Sequence, residues 1–398
     1  MSGGSGRSQS WSAGSGDNRL AINHLQQHDT VDDAAVDRFL AKHEVPIVEG
    51  RHVTFLFRGE ADEVHLSQRI LGLPNRLPMR RVPASTLWYI VLKVPEGSRI
   101  NYHIEVRHGD DLERCNDPLN PKLSHSPFGT SSVCFAYGYT TPEWTFPDPR
   151  AAPGELTDLV VESRALGRDC PITIYLPAGF RRTRSYSLLV VHDGGDFLQY
   201  AAAKVVLDNL IHGREIAETI VAFLHPKDRL VEYANSPQHA RFLRQELLPQ
   251  LEVEFPLKRH RSSRVLLGAS FGAVAALSAA YRSPSAYGSL VLMSGSFVYA
   301  ASGSDHGGGA VFDPVVKFVN RYRERPLRVA DRLFVTCGLY EPLIIPNRSI
   351  VPVFESAGMQ VRYVEALDGH TWENWRDRLR DALSWVYPGP ATAGLREA

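Results

Sequence analysis

One segment of the sequence combines residue types and spacing that can do chemistry. Val265-Leu266-Leu267-Gly268-Ala269-Ser270-Phe271-Gly272-Ala273-Val274 sets Gly-x-Ser-x-Gly between an apolar run and an Ala-rich run. A serine on a sharp strand-to-helix turn is presented as a nucleophile when glycines on either side let strand and helix crowd it. The backbone N–H of Phe271 then lies at a helix N-terminus, where developing oxyanion charge is stabilised. A serine hydroxyl is a weak nucleophile at neutral pH, so it needs a base, and the base needs an orienting acid. In a parallel sheet these follow in the order serine, acid, histidine, each at the C-terminal end of a strand. The competing reading is an ordinary strand-to-helix turn in a chain with 31 glycines.

His370 fits the base. It follows the apolar run VRYVEAL on the turn Asp368-Gly369-His370 and is the only histidine after His306. Glu341, just beyond RLFVTCG, is the favoured acid, with Asp368, Glu365 and Asp331 as competitors. Asp368 is too close in sequence to His370 to reach its Nδ1 easily, and the other two flank strands rather than end them. The second oxyanion donor is expected from the Gly195 N–H, on the loop His192-Asp193-Gly194-Gly195, with Asp193 holding the loop and His192 structural. Arg229 and Glu232 follow the strand TIVAFLH. Arg229 either contacts an anionic substrate or forms a structural pair with Glu232. Trp372 and Trp375 open the last helix, either as packing that holds His370 or, for Trp372, as a rim against substrate.

Positioning these groups requires a sheet buried on both faces. Eight apolar runs after Glu155 supply it, from TDLVVESRAL to QVRYVEALDGH, and most of the later ones are separated by helical stretches. The helical stretches include FLQYAAAKVVLDNLI and PQHARFLRQELLPQLEVEF. The first strands lack long helices between them, which predicts an antiparallel N-terminal edge to a mostly parallel sheet. From Val53 to Tyr139 the period is two, in short runs such as TLWYIVLKVPEG and INYHIEVRHGD, which predicts a small β-sandwich. Thr30 to Lys42 reads as one helix capped by Thr30. The division expected is a flexible Gly/Ser-rich tail over 1–30, a β-sandwich over 31–141, a Pro-rich linker over 142–154 and an α/β catalytic domain over 155–390.

The remaining composition mainly excludes. Lys plus Arg is 44 and Asp plus Glu is 44, so no global field steers the chain to nucleic acid or an anionic membrane. The basic run Lys258-Arg259-His260-Arg261 reads as a solvated loop. The four cysteines form no CxxC pair, and the 15 histidines show no paired metal spacing. No cofactor is expected. No run is long and apolar enough for a membrane span, and the Gly/Ser-rich start has no apolar signal segment, so a cytoplasmic location is expected.

With these residues in place the chain resembles the putative-esterase family of α/β-hydrolases, and most of all the enterochelin esterases. Four motifs beyond the elbow carry the resemblance. They are the His192-Asp193-Gly194 loop, Arg229-Leu230-Val231-Glu232-Tyr233 followed by FLRQELLPQLE, the Ser294-Gly295-Ser296-Phe297 turn, and Gly369-His370-x-Trp372-x-x-Trp375-Arg376. Val53 to Gly59, Trp88, Tyr102 and Asp117-Pro118-Leu119-Asn120-Pro121 are similar to the β-sandwich that precedes the catalytic domain there. The resemblance implies a Ser270, Glu341, His370 triad and a small-molecule ester substrate, a ferric siderophore lactone among them. Departures are Ala273 after Gly272, Leu-Asp-Gly before His370, and the stretch Ser302 to Gly309, which has no counterpart. They bear on substrate more than on ester chemistry. A general short-chain carboxylesterase, a feruloyl or acetyl carbohydrate esterase, and a non-catalytic ligand-binding homologue are the alternatives.

Overall fold

Alternating apolar residues in the first part of the chain fold into two antiparallel sheets. The computed structural model describes residues 20–27, 31–70, 72–300 and 309–392. The opening run to Asn18, the Thr30 cap and positions 302–308 lie outside them. Two compact units result. The first comprises the chain up to Thr140 together with Leu339–Glu341 and Leu367–Gly369, and the second holds the rest.

In the first unit, β1 (Ile47–Glu49), β2 (His52–Arg58), β6 (Leu87–Lys93) and β5 (Arg80–Arg81) form a four-stranded sheet in the order β1-β2-β6-β5. The second sheet runs β4 (Arg76–Pro78), β3 (Glu63–Gln68), β7 (Arg99–His108), β10 (Gly129–Phe135), β9 (Leu123–Ser126), with β8 (Asp111–Cys115) also paired to β7. Val53, Phe55 and Phe57 of β2 meet Ile100, Tyr102, Ile104 and Val106 of β7 in one core. Leu56 of β2, with Leu87 and Val91 of β6, faces the other way onto two helices. These are α1 (Ala21–Gln26) and α2 (Asp33–Leu40), which bury Ile22, Leu25, Val36 and Phe39. The expectation of a tail over 1–30 is thus corrected at 21–26, where two apolar residues three apart find a sheet to cover. The cap of α2 is Asp32, whose carboxylate accepts from the Ala35 N–H at 2.8 Å.

The second unit is built on β11 (Glu155–Ser163), β12 (Arg168–Leu176), β13 (Ser187–Val191), β14 (Thr219–Leu224), β15 (Arg264–Ala269), β16 (Ser289–Met293), β17 (Arg332–Gly338) and β18 (Gln360–Ala366). Their order is β11-β12-β14-β13-β15-β16-β17-β18. The β11/β12 and β12/β14 pairs are antiparallel, and all the others are parallel. The eight expected strands and the antiparallel edge are all present. Strand alternation divides the interior into two cores. Leu188, Val190 and Leu266 face one side, with α6 (Pro237–Arg241), α7 (Leu248–Glu254), α8 (Phe271–Arg282), α9 (Asp313–Glu324) and α10 (Ile344–Ser356). Leu189, Val191 and Leu267 face the other, with α3 (Gly194–Tyr200), α4 (Ala203–His212) and α11 (Trp372–Val386). The short α5 (Arg229–Tyr233) follows β14.

Two long helices expected from sequence are interrupted. Ala202 takes a left-handed φ of 46° between α3 and α4. A π turn over Phe242–Leu247 precedes Pro249, whose ring cannot continue a regular ladder. The segment expected as a linker is instead built into the second unit. Its short turn Glu143–Thr145 sets Trp144 against the core, with the Trp144 and Phe146 carbonyls accepting from Asn209 Nδ2 at 3.0 and 2.7 Å. Among the described residues, no helix is long and apolar enough to cross a membrane.

Candidate active site

Ser270 stands between β15 and α8 with φ 56° and ψ −120°, a backbone conformation a side chain rarely adopts. Its surroundings hold it there. The Ser270 N–H donates to Met293 O at 2.9 Å, and its carbonyl accepts from the N–H groups of Ser296 (3.1 Å) and Ala273 (3.2 Å). Space requires the first flanking glycine and is tight at the second. A Cβ on Gly268 would stand 2.2 Å from the Gly272 carbonyl oxygen, and one on Gly272 would stand 3.1 Å from His192 Cβ. Phe271 opens α8, so its N–H is one of the first-turn donors that have no acceptor within the helix.

The Ser294-Gly295-Ser296 turn after β16 completes the surroundings of the nucleophile. Ser296 Oγ lies 3.2 Å from Ser270 Oγ. Ser294, at φ 45°, accepts from Trp375 Nε1 at 2.9 Å, and the buried Asn347 donates to Gly295 O at 2.8 Å. The sequence marked this turn as a motif but assigned Ser296 no role, because nothing local shows that its hydroxyl meets the elbow.

The loop after β13 approaches from the other side. Asp193 is buried at φ 55° immediately before α3, with Gly194 and Gly195 in that helix's first turn, where N–H groups again lack helical acceptors. Gly194 has no alternative, since a Cβ there would lie 2.4 Å from Phe223. The Asp193 carboxylate takes two charge-assisted bonds from Arg229, Nε to Oδ1 and Nη2 to Oδ2, both 2.8 Å. The same guanidinium reaches Ala269 O at 3.4 Å and lies 5.9 Å from the Phe271 ring. Arg229 is therefore paired with Asp193. The expected Glu232 partner is corrected, because Glu232 binds Arg168 at 2.7 and 2.8 Å and accepts from the Lys227 N–H.

Beneath this loop His192 is fully buried. Its Nδ1 lies 2.9 Å from Leu267 O, and a carbonyl only accepts, so that nitrogen carries the proton. Nε2 then accepts from Nε2 of His239 at 3.0 Å. Burial holds the His192 imidazolium down to about 4 and, helped by the neighbouring ring, pushes His239 well below the usual histidine range, so both are neutral at pH 7. His239 went unnoticed in the sequence, as a lone histidine on a short helix.

His370 is exposed, beyond β18 by way of Leu367, Asp368 and Gly369. Its ring meets Trp375 edge-on at 5.0 Å. Trp375 in turn holds Ser294, so a chain of contacts runs from His370 to the turn that touches Ser270. Trp372 lies in the core, 8% exposed, edge-on to Phe197 at 5.3 Å and to Trp375 at 4.7 Å. That burial favours the packing reading over a substrate rim. Glu341 belongs to the first unit, follows β17 through Leu339 and Tyr340, and is 1% exposed. Its competitors have other engagements. Glu365 binds Arg348 at 2.6 and 2.7 Å, Asp331 binds Arg328 at 3.0 Å, and Asp368 faces Arg99 at 3.3 Å. Among the described residues, no group of three His, Cys, Asp or Glu side chains could hold a metal ion.

Similarity to known proteins bears on the family and the fold. The model of the family described as Putative esterase matches residues 163–386. The chain is 24% identical over 233 residues to the uncharacterized protein YjcH of Bacillus subtilis, covering 56% of this chain and 92% of that one. It is 23% identical over 273 residues to an iron(III) enterobactin esterase of Escherichia coli, covering 67% of this chain and 66% of the relative, just under two thirds of its length. The solved ferric enterobactin esterase of Salmonella typhimurium shares the fold, with a TM-score of 0.70 at 19% identity over 84% of this chain and 93% of that one. The chain belongs to the putative esterase family, and it is an enterochelin esterase-like carboxylic ester hydrolase with the α/β-hydrolase fold.

Proposed function

We propose that the protein cleaves small-molecule carboxylic esters with Ser270 as nucleophile, His370 as general base and Glu341 as the acid that orients it. The observation that carries this reading is the backbone of Ser270, held at φ 56° between a parallel strand and a helix. Ser270 Oγ attacks the ester carbonyl carbon as its proton passes to His370. The resulting oxyanion is held by the N–H groups of Phe271 and Gly195, which stand at two helix N-termini. His370 then protonates the leaving alkoxide, which departs and leaves an acyl-enzyme. A water deprotonated by His370 releases the acid and restores Ser270.

Arg229 serves this site by holding Asp193, and through it the loop that carries Gly195. Its position over Phe271 also leaves it able to meet an anionic group on the substrate. A ferric siderophore lactone is the substrate we favour, because the enterobactin esterases resemble the chain beyond its catalytic half. Hydrolysis there would free iron in the cytoplasm. The test compares ferric enterobactin, a feruloyl ester and p-nitrophenyl butyrate, with the wild type and Ser270→Ala. The reading expects Ser270→Ala to lose turnover on every substrate by about 10⁴-fold or more, and ferric enterobactin to show the highest kcat/KM. A preference for the feruloyl ester or the butyrate would move the substrate to the corresponding alternative.

A further inference from the structure

The first unit takes in two short segments that are remote in sequence, and each adjoins a residue of the proposed triad. Leu339–Glu341 follows β17 and contains the acid, while Leu367–Gly369 follows β18 and ends immediately before His370. Tyr340 is buried in the sandwich core, with its hydroxyl 2.6 Å from Ser98 Oγ. Its N–H donates to Asp368 O at 2.9 Å, so the two segments are bonded to each other. Arg99, at the start of β7, is 2% exposed. Its backbone N–H donates to Leu367 O at 2.9 Å, and its guanidinium reaches Asp368 Oδ1 at 3.3 Å and Asn101 Oδ1 at 3.0 Å. Asp368 Oδ1 also accepts from the Gly369 N–H at 2.6 Å.

A buried guanidinium facing a buried carboxylate adds little net stability compared with apolar residues of the same size, but it admits few geometries. Here the fixed geometry belongs to the segments leading into both the acid and the base. We propose that Ser98 and Arg99 are positioning residues for ester hydrolysis, clamping through Tyr340 and Asp368 the segments that present Glu341 and His370. This rests on the triad reading above.

The variants are Arg99→Met, Arg99→Lys, Tyr340→Phe and the double change Arg99→Met with Asp368→Asn. Each is measured for thermal stability and for kcat and KM on p-nitrophenyl butyrate, per folded molecule. A displacement of about 1 Å from a remote change costs on the order of 10²-fold, so Arg99→Met is expected to lower kcat by that much with KM nearly unchanged. Arg99→Lys restores part of the loss. Tyr340→Phe, which removes only the hydroxyl bonded to Ser98, lowers kcat by about 3- to 10-fold. The double variant removes both buried charges, so it regains the stability lost in the single change while kcat stays low. If Arg99→Met does not fold, Tyr340→Phe and the double variant decide. Wild-type kcat in Tyr340→Phe, or a double variant whose kcat recovers along with its stability, overturns the proposal. Ser270→Ala and Glu341→Gln run alongside separate the two readings. Turnover retained in either refutes the triad, whereas their loss beside fully active clamp variants refutes only the clamp.

Discussion

Gly268→Ala probes the elbow with a single methyl group. An ideal Cβ at this position would stand 2.2 Å from Gly272 O, 2.3 Å from Gly272 C and 2.8 Å from Ala273 N. Carbon and oxygen approach to about 3.3 Å even in a favourable C–H···O contact, so the first turn of α8 must retreat by roughly 1 Å. Overpacking of this kind costs about 1–3 kcal/mol, and each kcal/mol lowers Tm by about 2–4 °C in a domain of this size. The retreat also carries the Phe271 N–H away from the oxyanion, and a 1 Å error there costs about 10²-fold in kcat. Gly272→Ala is the internal comparison. Its Cβ would meet His192 Cβ at 3.1 Å and Asp193 Oδ2 at 3.3 Å, which a shift of a few tenths of an ångström relieves. The expected order for both Tm and p-nitrophenyl butyrate turnover is wild type, then Gly272→Ala, then Gly268→Ala. A Gly268→Ala enzyme within threefold of wild-type kcat, or a reversal of that order, would refute the argument from close packing.

Two further outcomes follow from the groups around the nucleophile. Arg229→Met leaves the buried Asp193 carboxylate without its bidentate partner and is expected to cost about 3 kcal/mol, near the low end for a buried pair because Arg229 is partly exposed. A shift of the urea midpoint reads that loss, and an unchanged midpoint contradicts it. Stability should also depend on pH through His192, whose folded value of about 4 lies below the unfolded 6.5. Between those values the unfolded state binds the extra proton, so stability is complete above about pH 6.5 and falls as pH drops toward 4, by roughly 3 kcal/mol. His239 acts in the same direction. Urea midpoints across this range should flatten in His192→Asn, and an equal slope in that variant contradicts the assignment.

The parts of the molecule legible in the sequence are those where one strong local pattern decides the structure. Buried parallel strands such as Leu188–Val191 and Val265–Ala269 read as unbroken apolar runs because helices cover both faces. Strand β7 of the sandwich reads as alternation because one of its faces meets the core. The elbow was legible because Gly268 answers a steric demand within the same few residues, the first turn of α8 that begins just after Ser270. What escaped depends on partners distant in the chain. Arg229 was offered Glu232, its neighbour on α5, but took Asp193 from the end of another strand. Helix α1 hid behind a Gly/Ser-rich start, since a six-residue helix has too few apolar positions to show a period. Trp144, in a run rich in proline, gave no sign that it would be drawn into a core. Asp368 was set aside as an acid for its closeness to His370, and no local signal pointed to Arg99 as its partner.

The central claim is that Ser270 is the residue acylated during ester cleavage. Its most direct test is titration with a fluorophosphonate, with residual hydrolysis of p-nitrophenyl butyrate followed at each addition and the modified peptide identified by mass spectrometry. The account predicts one adduct per chain, on Ser270, with activity falling in proportion and no adduct in Ser270→Ala. Full labelling at another residue, or full inhibition with Ser270 unmodified, would contradict it.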